Sequence, residues 1–197
     1  MRPGRFLLPI ALALVPQTFA GTAILHFDEF GTNPQIDVNS VSGLGVSFLF
    51  TPGTAVYNGG IGAGTTVNLS DPVLVGPTSG TLMLAFDSPI DFLSFDIALE
   101  SVDAISNAYN VTMGGNSFSG DTAPQIVFSE GHFAYSGIGT FTSATITFSN
   151  AAPEFAIDNL SFGAPEPSTG LPVGAAAMVL ALLGLIRNRL KYRNVGH

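Results

Sequence analysis

Two runs in the middle of the chain alternate apolar and polar side chains. Leu82, Leu84 and Phe86 alternate with Thr81, Met83 and Ala85, and Leu93, Phe95, Ile97 and Leu99 alternate with Ser94, Asp96, Ala98 and Glu100. A period of two places one set on a buried face and the other in water, which a strand can do and a helix cannot. Tyr109, Val111 and Met113 repeat the pattern. So do Ala144, Ile146 and Phe148 against Thr145, Thr147 and Ser149. Residues 24–30, 46–50, 126–128 and 155–162 are further strand candidates. Gly114-Gly115 between 109–113 and 116–119 is a two-residue hairpin signal. Asp71-Pro72, Gly76-Pro77 and Asp87-Ser88-Pro89 punctuate the rest. Many short strands without helical periodicity predict an all-β domain, an antiparallel β-sandwich of jelly-roll type, over residues 24–163.

The two ends have a different character. Residues 1–20 open with Arg2 and Arg5, continue with an apolar core and close on Gln17-Thr18-Phe19-Ala20, the pattern of a secretory signal peptide with cleavage after Ala20 or, alternatively, Ala23. Residues 164–170 form a Pro- and small-residue linker containing Pro165-Glu166-Pro167. Residues 171–186 are uncharged. As a helix they span roughly 24 Å, somewhat less than the ~30 Å hydrocarbon core, a gap closed by local thinning and snorkelling of flanking basic side chains. Arg187, Arg189, Lys191 and Arg193 follow within residues 187–197 and predict a cytoplasmic tail, with the preceding domain outside.

Charge is segregated in the same way. All six Lys and Arg lie at the two ends, whereas all 14 Asp and Glu lie between Asp28 and Glu166. A product cut at both ends carries −14, or −13 if Glu166 also leaves. Such a surface repels nucleic acid and anionic lipid, and it can attract divalent cations. The absence of cysteine removes thiolate catalysis and Cys-based zinc sites. About 140 residues can bury enough core to fold without disulfides.

The order of Pro-Glu-Pro, apolar run and basic stop at the C-terminus resembles the PEP-CTERM sorting domain of exported Gram-negative proteins, a tail also labelled as the ice-binding protein C-terminal domain. The resemblance covers about the last thirty residues. It implies that Pro165, Glu166 and Pro167 are recognised by an exosortase-type membrane enzyme. It also implies an inner-membrane-anchored precursor, and an association with exopolysaccharide and biofilm material. The middle domain is similar to carbohydrate-binding modules, chiefly through its closing segment, Phe155-Ala156-Ile157-Asp158-Asn159-Leu160-Ser161-Phe162.

No catalytic constellation stands out. The Gly-rich stretch 57–64 lacks the strand, helix and basic residue that a nucleotide loop requires and reads as a flexible surface loop. Gly-x-Ser-x-Gly does not occur. His26, His132 and His197 are the only histidines, and sequence places no nucleophile or orienting partner for His132. No two carboxylates stand at a defined spacing for glycoside hydrolysis. Tyr57, Tyr109 and Tyr135 are candidates for stacking on sugar rings or for core packing.

The first and last strands of a jelly roll are commonly neighbours. Apolar residues on both faces of 155–162 imply a bulge near Asp158-Asn159 or a strand covered on both sides. An inward Asp158 has no Lys or Arg to meet, so a cation or backbone N–H groups must satisfy it. The resemblance to carbohydrate-binding modules implies a structural calcium ion, with Asp28 and Asp158 as ligands, Glu29 as a substitute for Asp28, and carbonyls near Gly31. No other cofactor is expected. The resulting expectation is an exported, non-catalytic cell-surface or matrix protein that binds glycan. An exported hydrolase on the same scaffold is the alternative.

Overall fold

The computed structural model describes residues 21–31 and 35–163, all of which fall within one compact unit, Ala20–Pro165. The signal-peptide segment, Pro165-Glu166-Pro167, the apolar run 171–186 and the basic tail lie outside the described residues. Among those described, no helix is long and apolar enough to cross a membrane.

The described residues form β1 (Thr22–Leu25), β2 (Ile36–Asp37), β3 (Val46–Thr51), β4 (Val56–Gly59), β5 (Val73–Pro77), β6 (Thr81–Leu99), β7 (Ile105–Met113), β8 (Asn116–Pro124), β9 (Ser129–Phe148) and β10 (Glu154–Gly163). A single 3-10 turn, Val38–Ser40, follows β2, with Asp37 accepting from the Asn39 N–H. Every strand pairing is antiparallel. The strand order is β2-β4-β5-β10-β6-β9-β7-β8, with β1 on β10 and β3 on β6. The described residues are all-β, apart from that turn, and sandwich-like.

Two long strands generate both layers. The first part of β6 pairs Thr81–Ala85 with Thr147–Ser143 of β9, while its last part pairs Phe92–Leu99 with Ser136–Ser129. Register shifts separate the two zones around Ile90, just after Asp87-Ser88-Pro89. Proline removes a ladder donor, and irregular pairing lets a strand bend. One layer therefore consists of β3, the start of β6, the end of β9, β7 and the start of β8, whose end crosses to pair Ala123 and Pro124 with Glu130 and Ser129 at the start of β9. The other consists of β2, β4, β5, β10, β1, the end of β6 and the start of β9.

The inner faces meet through aromatic rings. Phe148 stacks on Phe155 with centroids 3.8 Å apart and planes within 8°. Phe50 approaches Phe155 at 5.7 Å, and Phe95 approaches Tyr109 at 6.1 Å. Gly80 permits a close approach here, since a Cβ at that position would overlap the Phe50 ring. Gly114 and Gly115 have φ of 55° and 80° and close the β7–β8 hairpin, in which Met113 pairs with Asn116. Glycine adopts such angles without steric cost.

Three local expectations are corrected. The first strand ends at Leu25 rather than at residue 30. Phe27 has φ 60° and is fully buried, the Glu29 carboxylate accepts the His26 N–H at 2.7 Å, and a turn bond joins Gly31 N–H to the Asp28 carbonyl. Residues 126–128 are a turn between β8 and β9, with Ile126 and Val127 exposed. Tyr57 and Tyr109 are core residues, with 0 % and 3 % exposure, and cannot stack on a ligand.

Candidate functional site

Alternation along β6 sends Leu93, Phe95, Ile97 and Leu99 inward and leaves Asp96 on the outer face of the second layer. Asp96 pairs in register with His132 of β9 and with Asp158 of β10. Beyond Asp158 the β10 register shifts before Ser161, and Asn159 has φ 53°, an angle asparagine tolerates better than most residues. That bulge turns the Asn159 amide onto the same face. Its Nδ2 donates to Asp96 Oδ2 at 2.8 Å, and its Oδ1 lies 3.0 Å from Nδ1 of His26, just past β1. The other Asp96 oxygen lies 2.7 Å from His132 Nδ1. The result is a chain of four side chains, His26–Asn159–Asp96–His132, laid across β10, β6 and β9 with His26 just past the end of β1.

The network fixes its own tautomers. Asp96 accepts from both neighbours, so neutral His132 carries its proton on Nδ1. Asn159 spends its donor on Asp96, so its oxygen must accept from His26 Nδ1. Each imidazole, in its neutral form, then presents Nε2 as an acceptor. His132 is largely exposed, with a side-chain accessibility of 59 %. Such a pair orients an imidazole as a general base would need. No nucleophile is hydrogen-bonded to His132 among the described residues, so the constellation stops short of an acyl-transfer site.

Next to this row, the loop between β4 and β5 lies over the same face. Leu69 and Phe128 pack with Val73, Ala98 and Ala156 as a second small core. Three carboxylates hold the loop by its backbone. Glu130, 4 % exposed, accepts from the Val67 N–H at 2.6 Å, the Asn68 N–H at 2.8 Å and Asn68 Nδ2 at 2.8 Å. Asp71 accepts from the Ile61 and Gly62 N–H groups at 2.8 and 3.1 Å. Asp158, 2 % exposed, accepts from the Ser70 N–H at 3.1 Å and its neighbour Asn159 N–H at 2.7 Å. Of the stretch 57–64 read as a flexible loop, residues 57–59 belong to β4, and Ile61 and Gly62 are held by Asp71, beside a cavity of about 300 Å³ lined by Gly62, Thr66, Leu69 and Asp71 among others.

Burial raises the Asp158 pKa above the usual carboxylate range, against the lowering effect of the two N–H donors. A raised folded-state pKa favours the protonated form. Its contribution to stability is therefore full below the unfolded-state value and is lost as pH rises through the folded-state value. Burial likewise pushes the Tyr57 hydroxyl up strongly, reinforced by its hydrogen bond to Glu29. Tyr109 is raised by burial and then by Asp121, and its hydroxyl donates to the His132 carbonyl at 2.9 Å.

The predicted neighbours, first and last strands, do pair: Leu25 opposes Leu160, and Ile24 opposes Ser161. Asp28 is exposed in the turn after β1, and Asp158 is buried under the loop. Among the described residues no group of three His, Asp or Glu stands close enough to hold a metal ion. Both Asp158 oxygens accept from N–H groups. Of the two solutions open to an inward Asp158, the backbone is the one found. Glu29 serves Tyr57 and the His26 N–H. Tyr135 is half-buried, 5.3 Å from Phe118. The partnership of His132 with Asp96 was not anticipated. Asp96 lies on the outward parity of an alternating run, but His132 reads from sequence as a loop or strand-end side chain and sits instead within β9, and which two positions oppose each other is a property of pairing register.

No family model matches the chain, and no curated protein matches it. Among solved structures, a family 29 carbohydrate binding module is similar at 15% identity, covering 74% of this chain and 90% of its own, with a TM-score of 0.41. A family 29 module from Piromyces equi gives 11% identity, 74% and 91% coverage and a TM-score of 0.42. A variant of another family 29 module, complexed with mannohexaose, gives 13%, 74%, 93% and 0.41.

Proposed function

We propose that the chain is an exported, non-catalytic surface or matrix protein, built on a jelly-roll-like sandwich. It is sorted through Pro165-Glu166-Pro167 by an exosortase-type enzyme and binds glycan. The observation that carries the non-catalytic part is how the carboxylates are used. Glu130, Asp71 and Asp158 are occupied by backbone N–H groups of one loop, as expected of acids in a fold with no internal Lys or Arg. The sorting part is supported by the sequence of the tail. Proline on both sides of Glu166 favours an extended motif, which would present its carboxylate just outside the apolar run. An acidic product freed from its basic ends would remain soluble within a polysaccharide matrix.

Mass spectrometry of cell-surface material tests the sorting. The surface form is expected to end at or near residues 165–169, and Glu166→Ala is expected to leave the protein in the inner membrane. A surface-located protein that still carries the peptide 171–186 would refute it.

The His132–Asp96 pair favours one second reading, an exported hydrolase. If the first reading holds, a screen against model esters and glycosides will give no turnover that His132→Ala removes. Turnover abolished by that single change would establish the second.

A further inference from the structure

The other layer carries an outer face of a different kind. On β3, β6, β9 and β7 the inward residues Phe50, Leu82, Ile146 and Val111 are buried, and on β8 Phe118 is partly buried against the same core, so their neighbours form the outer surface. Register aligns Thr51, Thr81, Thr147, Asn110 and Ser119 in one row across five strands. The adjacent row is Leu49, Met83, Thr145, Thr112 and Ser117. A third, shorter row is Ser47, Ala85 and Ser143. Not one of these side chains is charged, in a domain with thirteen carboxylates between Asp28 and Asp158. Leu49 and Met83 face each other across the β3–β6 pair and are 48 % and 41 % exposed.

At one end of the rows the polar groups bind one another. Ser117 Oγ donates to Asn110 Oδ1 at 2.7 Å, and Asn110 Nδ2 donates to Ser119 Oγ at 3.0 Å. At the other end, the Thr51, Thr81, Thr145 and Thr147 hydroxyls have no protein partner among the described residues. Strands lie about 4.8 Å apart and alternate residues about 6.8 Å, so the open hydroxyls form a lattice next to two apolar side chains. Five strands make the face roughly 19 Å across.

The geometry points to this face as the glycan-docking surface, and to an extended, neutral, insoluble polysaccharide as its occupant. The inference rests on the glycan-binding reading above and adds the place and the class of polymer. Charge complementarity decides the class. A polyanion is repelled by the surrounding carboxylates, and a polycation would be drawn to those carboxylates rather than to rows that have none. A neutral sugar chain presents hydroxyls along its edge and C–H groups on its ring face. Free threonine hydroxyls match the first, and threonine methyls with Leu49 and Met83 match the second. Docking on this face desolvates no charge, which would otherwise cost affinity.

The test uses the full-length protein in mild nonionic detergent, co-sedimented with microcrystalline cellulose and chitin as neutral probes, and with alginate gel and chitosan as charged ones. The neutral solids are expected to retain the protein. Thr147→Glu, and independently Leu49→Glu at the edge strand, each place a charge on the face and are expected to weaken retention about tenfold or more, with unchanged melting temperature. Val102→Glu adds the same charge at a 67 % exposed position between β6 and β7 and is expected to change nothing. Retention on neutral solids that neither face variant reduces would overturn the assignment of the face while leaving glycan binding intact. Preferential retention on alginate or chitosan would overturn the class of polymer. No retention on any glycan would overturn the reading beneath both. A change in oligomer mass by light scattering in Thr147→Glu, without a change in retention, would reassign the face to self-association.

Discussion

Phe155→Ala is expected to destabilise the domain by about 3–5 kcal/mol, the range for removing a fully buried aromatic ring. Phe155 has no exposed surface, stacks flat on Phe148 from the opposite layer and also meets Phe50. Its loss removes the contact that joins β10 to the ends of β9 and β3. The cavity cannot collapse easily, because β10 and the end of β9 are fixed by ladder bonds on both sides. Domains are stable by only about 5–15 kcal/mol, so this single change takes a large share. Chemical denaturation should show the midpoint falling with unchanged slope. A loss below about 1 kcal/mol would mean that the two layers are not clamped at this ring.

Glu130→Ala is expected to cost about 3 kcal/mol or more, and to do so locally. Three N–H donors of Val67 and Asn68 lose their acceptor, and hydrogen bonds to a charged group are worth about 1.5–3 kcal/mol each. The group is buried, so water cannot substitute without opening the loop. Amide hydrogen exchange should therefore rise first at Val67, Asn68 and Ser70, while Leu82 and Ile146 remain protected until global unfolding. Glu130→Gln keeps one acceptor oxygen and should fall between. Uniform acceleration across the whole sheet would show that Glu130 supports the core rather than the loop.

The sequence makes visible those parts of the molecule that depend on neighbours two residues apart. Alternation at Leu82–Phe86, Leu93–Leu99 and Ala144–Phe148 marks the inner faces of β6 and β9, and Gly114-Gly115 marks the hairpin. The doubled apolar faces of β10, with Asp158 among them, announce the bulge that the structure has between Asp158 and Ser161. What depends on which strand lies beside which does not show in that pattern. The two alternating runs of β6 read as separate strands, because Asp87-Ser88-Pro89 looks like a turn. Here β6 passes through it as a bend and continues into the other layer. Phe27 belongs to an apparent strand by composition, but the Glu29 side chain captures the His26 N–H and diverts the chain into a turn. Tyr57 and Tyr109 are amphipathic, so composition alone could not decide between core and surface. His132 lacked a visible partner because Asp96 lies 36 positions away and meets it only through register.

The continuity of β6 and β9 through both layers also bears on time. Their pairing begins with Leu99 against Ser129 and ends with Thr81 against Thr147, so its closure spans widen steadily along the strands, with β7 and β8 enclosed within the loop. Contacts of such long sequence separation form late, after the entropy of closing the loop has been met. Neither layer can complete its hydrogen bonding while the other is absent, since each takes half of the same two strands. The molecule has no natural halfway house. Its folding should be slow and all-or-none, in a fold with no disulfide to hold it shut.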